Sequence, residues 1–230
     1  MQSEKTTPPV QAVRDTVRAY ARLVRQPSLE RIFAFEQSLS ALGGARNRER
    51  MAAGLRGSPG FAVTPDARYE APAHRLADLA EQAPGTLGHA YYRFMTEHQL
   101  TKDSFPPKWP ADEVGYWRMR YLQCHDVWHT VLGYPPDPQG EIRLLSFAIT
   151  QQQRCAQRER LRISRFHALV LLAGLTHLAL FQPRALRPAL GGVLEGIRRG
   201  MKARPLWAVR WEELWGRPLS TLQAELGVAR

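Results

Sequence analysis

The chain has 230 residues, 44% of them hydrophobic, and a formal net charge of +11 at pH 7. That excludes a disordered chain and allows one domain with a real core. Two cysteines exclude a disulfide framework and point to a reducing compartment.

The basic residues are nearly all arginine, with only Lys5, Lys102, Lys108 and Lys202 as lysines. They are scattered and not interleaved with aromatics, and no RNA- or DNA-binding motif is present, so nucleic acid is not expected as a partner. An anionic membrane surface or an acidic substrate suits the charge better.

The first ten residues, MQSEKTTPPV, hold no apolar signal region. Residues 1–9 read as a disordered lead and 10–230 as one domain. Val10 to Arg25 reads as a helix that Pro27 stops. Ser28 caps a second, Leu29 to Leu42, and Gly43-Gly44 breaks the chain before a short helix, Arg46 to Leu55. Gly57 to Arg68 is a loop. His74 to Ala80 and Thr86 to Leu100 follow as helices. Phe105 to Pro110 is a rigid loop that would wall a site. No period-two alternation appears, which predicts an all-α chain.

Asp112 to Thr130 carries apolar residues at helical spacing, and Gly133 stands just past it as a stop. On that helix His125 and His129 lie about 40° apart, on one face. Asp126 sits at the edge of the same arc, and Arg118 is two turns back. After the turn Tyr134-Pro135-Pro136-Asp137-Pro138, Asp137 is a good N-cap and Pro138 a good first helical residue. Glu141 lies in the first turn of the next helix, to Arg154, so the turn can fold it back toward the imidazoles. Two imidazoles four apart with a carboxylate from another segment make a three-ligand cation site. It suits zinc or another divalent transition metal and leaves one position open. The alternatives are packing histidines and a glutamate favoured by the helix dipole. Arg118 is a candidate partner for a substrate carboxylate or phosphate, or a solvated charge.

Arg158 to Arg165 reads as a basic hinge. Phe166 to Pro183 has no formal charge, yet His167, Thr176, His177 and Gln182 lower its hydrophobicity. It suits a core helix or one wall of an apolar tunnel better than a membrane span. Pro188 to Met201 is a further helix ending in the basic cluster Arg198, Arg199, Lys202 and Arg204. That cluster suits lipid phosphates or a helix C-terminus. Trp207, Trp211 and Trp215 recur every four residues, as core packing or as an interfacial anchor. Ser220 with Gln223 reads as a capping box for a last helix.

HDVWH, eleven residues, then Glu141 resembles the HDxxH-x11-E motif of the ubiquinone (coenzyme Q) biosynthesis protein Coq-four family. GTLGHAYYRFM (85–95) and the tail from Lys202 to Val228 are similar to other segments of that family, and the likeness runs from Pro27 to Val228. The resemblance implies a single-domain multi-helix bundle with an apolar prenyl-lipid tunnel. It implies that His125, Asp126, His129 and Glu141 form the catalytic and metal set, with zinc as the cation. The implied activity is metal-dependent decarboxylation of a polyprenylated hydroxybenzoate, with or without hydroxylation at the same carbon. The implied partners are that aromatic intermediate, other quinone-biosynthesis enzymes and a membrane surface; a homodimer is also expected. The amino terminus departs from mitochondrial members, so a bacterial cytoplasmic protein peripheral to the inner membrane is expected. Asp126 is open to two roles, fourth ligand or hydrogen-bond partner of a ligand. Competing readings are a non-catalytic prenyl-lipid scaffold and a zinc hydrolase with Asp126 as base.

Overall fold

The computed structural model describes residues 9–72, 74–100, 110–155 and 160–229. The expected disordered lead lies almost wholly outside the described residues, as does most of the Phe105–Pro110 loop. Within them are nine α-helices: α1 (Pro9–Arg25), α2 (Leu29–Arg56), α3 (Leu76–Ala80), α4 (Leu87–Glu97), α5 (Glu113–Leu132), α6 (Pro138–Cys155), α7 (Arg160–Phe181), α8 (Pro183–Lys202) and α9 (Leu219–Glu225). Among the described residues β pairing is limited to one isolated bridge, between Thr86 and Pro218. The chain is all-α.

Local chemistry explains most boundaries. Ser28 accepts from the amide of Arg31 at 3.3 Å and opens α2. Asp112 accepts from the amide of Gly115 at 3.0 Å and opens α5. The expected break at Gly43-Gly44 is realised: Gly44 is non-helical, with φ 60° and ψ −175°, and it divides α2 into two helical halves, the second carrying Arg46 to Leu55. Three expectations are corrected. The basic hinge is helical from Arg160 onward, because α7 begins there. α8 starts at Pro183, which supplies the fixed φ of a first helical residue, and Pro188 sits inside it. Ser220 lies within α9 and caps nothing; Gln223 donates to the carbonyl of Val131 at 2.8 Å and ties α9 to α5.

The main core joins α4, α5 and α6 to the carboxy-terminal tail. Trp207, Trp211 and Trp215 are buried in it, so their spacing reflects core packing and not an interfacial anchor. The segment carrying them is mostly non-helical, with one short 3₁₀ turn at Trp211–Glu213. A second cluster packs α1 and α2 on α7 through Leu23, Phe35 and Ala173, and a third packs α6, α7 and α8. α7 is thus partly a core helix, but Leu172, Leu180 and Phe181 are exposed. Among the described residues no helix is long and apolar enough to cross a membrane.

Two devices fasten the core. Gly192, Gly196 and Gly200 form a ridge on α8 that meets Arg143, Ser146, Phe147 and Thr150 of α6. Arg120, inside α5, pairs with Glu212 at 2.8 Å, both side chains only 5% exposed, and also donates to the carbonyl of Val209. Removing one partner strands a buried charge. Glu212→Ala is therefore expected to cost about 3 kcal/mol of stability, read as a lower denaturant midpoint; an unmoved midpoint would show that the pair contributes nothing.

Candidate metal centre

α5, one turn and the start of α6 build the site. α5 ends on Gly133, whose φ of 65° and ψ of 34° are left-handed and favour glycine. The chain reverses there, and the amide of Tyr134 donates back to the carbonyl of His129 at 3.0 Å. Asp137 then accepts from the amide of Gly140 at 2.7 Å and opens α6, as its sequence position suggested. Gly140 packs directly on the carbonyl of Pro135. Glu141 follows and faces α5.

The side chains converge. His129 Nε2 lies 3.1 Å from Glu141 Oε1, and His125 Nε2 lies 3.4 Å from Glu141 Oε2. The two imidazole centroids are 4.8 Å apart. One ligand atom from each of His125, His129 and Glu141 lies within 4.8 Å of the others, so the three could hold a metal ion.

Each imidazole is oriented from behind. His129 Nδ1 is 3.1 Å from the carbonyl oxygen of Tyr134. A carbonyl only accepts, so Nδ1 carries the proton and Nε2 keeps its lone pair. His125 Nδ1 is 3.0 Å from Asp126 Oδ1, and the same logic applies to that carboxylate. Both Nε2 atoms therefore point inward, His129 Nε2 with its lone pair free and His125 Nε2 able to donate once a cation displaces its proton. Rings fix the rest. Phe94 stacks on His129 at 5.7 Å, and Tyr121 meets His125 edge-on at 5.8 Å.

Electrostatics agree with the donor set. Burial disfavours charge on His125, but hydrogen bonds to Asp126 and Glu141 outweigh it and raise its pKa to about 10. Burial would raise Glu141, yet the two imidazoles hold its carboxyl well below the usual carboxylate range. The cluster thus favours a bound positive charge, here a proton. His129 Nε2 is buried and makes no hydrogen bond among the described residues, despite its nearness to Glu141. A buried, unbonded nitrogen lone pair facing a carboxylate is costly unless a cation completes it. Two imidazoles and a carboxylate fit zinc chemistry.

The four motif residues are all placed at the α5–α6 junction, but not on one point. Successive helical side chains diverge by about 100°, so Asp126 stands behind the His125 ring and outside the convergent three. Arg118 does not join them. Its guanidinium pairs with Glu36 at 2.6 Å and lies over the ring of Phe33, so its charge is already met. Sequence reading missed Tyr134, whose anchoring group is a backbone carbonyl, and Phe94. The Gly133 stop was the available signal for Tyr134. His167, read from the sequence only as lowering the hydrophobicity of its stretch, hydrogen-bonds Gln152 at 2.7 Å and packs on Tyr121 at 4.9 Å. Burial first, and the nearby charge of His125 second, push its pKa down to about 3, so it is neutral.

The chain matches, over residues 48–230, the family described as "Coenzyme Q (ubiquinone) biosynthesis protein Coq4". A mitochondrial ubiquinone biosynthesis protein of this type from Eremothecium gossypii is 30% identical over 167 residues, 65% of this chain and 43% of that protein. A homologue from Drosophila ananassae is 33% identical over 156 residues, 65% of this chain and 53% of that protein. The chain spans about half the length of these curated relatives. A crystal structure from Nostoc punctiforme, of a candidate ubiquinone biosynthesis protein, superposes with a TM-score of 0.74. It has 26% identity and covers 95% of this chain and 99% of that one.

Proposed function

This chain belongs to the coenzyme Q (ubiquinone) biosynthesis protein Coq4 family, and from that premise we propose that it works in ubiquinone or related prenylquinone biosynthesis as a metal-dependent carboxy-lyase. Its substrate would be a polyprenylated hydroxybenzoate. The observation that carries the reading is the convergence of His125, His129 and Glu141, with the buried His129 Nε2 left unbonded.

In the proposed reaction the bond from ring to carboxyl breaks, carbon dioxide leaves, and a proton takes its place. His125, His129 and Glu141 would hold the zinc, which when bound would supply Lewis acidity for negative charge developing on the ring. The chain supplies orientation. Tyr134 and Asp126 hold the two imidazoles with Nε2 inward. Glu141, half-exposed, marks the mouth through which substrate arrives. Phe94 and Tyr121 shield the imidazoles from water. The prenyl tail would need an apolar channel, which we place along α7. The protein would act with other quinone-biosynthesis enzymes, as a homodimer, on the cytoplasmic side of a bacterial inner membrane.

Asp126 separates the alternatives. Its carboxylate is engaged with His125 Nδ1, which leaves a zinc hydrolase without its base. It supports a role in setting metal affinity. Asp126→Asn is expected to weaken zinc binding about 10- to 100-fold, measured by competition with a chromogenic chelator. Unchanged affinity would remove Asp126 from the site. The deciding assay for the function is carbon dioxide release by the purified, zinc-loaded protein from a polyprenylated hydroxybenzoate. Binding of that lipid without turnover would replace the lyase with a scaffold that presents it to partner enzymes.

A further inference from the structure

The outer side of α8 carries an apolar row that no cluster of the core absorbs. Leu190, Leu194, Ile197 and Met201 recur at spacings of four, three and four, so they share one side of the helix. They are 48%, 63%, 38% and 62% exposed. Leu180 and Phe181, at the end of α7 and just before α8 begins, are exposed as well. Single exposed leucines are ordinary, but a contiguous row calls for an occupant. The row is not an inner face left uncovered. α8 already buries its glycine ridge against α6 on the other side.

Charge identifies the occupant. Arg184, Arg187, Arg198 and Lys202 are all exposed and, at about 100° per residue, fall along one edge of the row. The one acidic residue of α8, Glu195, is matched by Arg143 at 3.0 Å. A second copy of the chain would bring another arginine-rich edge and no free carboxylate on α8 to meet it. An anionic bilayer offers both an apolar layer and negative headgroups.

We propose that the outer face of α8, continued by Leu180 and Phe181, is the surface by which this protein docks on an anionic lipid membrane. Leu190, Leu194, Ile197 and Met201 enter the acyl boundary. Arg184, Arg187, Arg198 and Lys202 lie at the headgroups. The inference deepens the membrane part of the proposed function and is independent of the reaction assigned there. The glycine ridge seats α8 on α6, the helix that carries Glu141, so docking fixes how the metal centre faces the bilayer.

Sedimentation of the full chain with vesicles tests it. The protein should pellet with phosphatidylcholine vesicles containing phosphatidylglycerol, and less with phosphatidylcholine alone or in high salt. Leu194→Glu with Met201→Glu should weaken vesicle binding about tenfold or more, with thermal unfolding and zinc content unchanged. Arg187→Ala with Arg198→Ala should weaken it and flatten its salt dependence. The proposal is overturned if the wild-type protein stays in the supernatant, or if the glutamate pair pellets as before. It is equally overturned if that pair turns a dimer into a monomer without changing vesicle binding, since a second copy then covers the face. Loss of zinc or turnover with vesicle binding intact would count against the proposed reaction and leave this surface standing.

Discussion

With His129 replaced by alanine, the purified protein is expected to hold no stoichiometric metal, and cells that depend on it to make no ubiquinone. His129 is 1% exposed, and its Nε2 is the most enclosed of the three donors. Altering a residue that merely orients a ligand costs about 10- to 100-fold in affinity. Deleting a ligand outright should cost more than the upper end of that range. The variant also gives up the hydrogen bond to Tyr134 and the stack on Phe94. A further loss of about 1–2 kcal/mol in stability is expected, small enough to leave a folded domain. Elemental analysis and quinone extraction read the two main effects separately. Normal quinone levels with His129→Ala would sink the catalytic reading, whatever happened to the metal.

Gly140→Ala is expected to do comparable damage without touching a ligand. A Cβ at 140 would run into the carbonyl oxygen of Pro135, and its next contacts are Pro135 C at 2.8 Å and Cδ at 3.1 Å. The neighbours are backbone and a proline ring, so they cannot swing aside. Relief requires the turn to open or the first turn of α6 to slide. Either movement carries Glu141 away from His125 and His129. We expect a stability loss of about 3 kcal/mol, at the upper end for overpacking, and zinc binding reduced as severely as in a ligand deletion. A midpoint and zinc affinity equal to wild type would mean that the junction is softer than its contacts imply. Ser146→Ala, with its hydroxyl bonded only to the carbonyl of Ile142 in its own helix, serves as a mild control.

Much of the site could be read from the chain because its geometry is local. The i, i+4 spacing of His125 and His129, the Gly133 stop and the Asp137 cap are each short-range rules, and the structure realises them at the α5–α6 junction. What escaped was long-range. Arg118 sits on the imidazole-bearing helix, but Glu36 on α2 claims it, and no pattern near residue 118 records that pairing. Ser220 and Gln223 have the spacing of a capping box, yet Val131 competes for Gln223 and wins. The tryptophan spacing left core packing and an interfacial anchor open, and the segment is an irregular buried strap held by Gln151, which accepts from the amide of Leu206. The all-α class was legible because the turn signals and helical periods never disagreed.

His125, Asp126, His129, Tyr134 and Glu141 fall within a single helix–turn–helix, and that compactness bears on how the molecule is made. The chain entropy of bringing the donors together is that of closing a short loop. A nascent α5–α6 hairpin already carries every donor while α7, α8 and the tryptophan strap are still unmade. A metal that binds there could therefore be captured early in folding, and the later elements would then assemble around it.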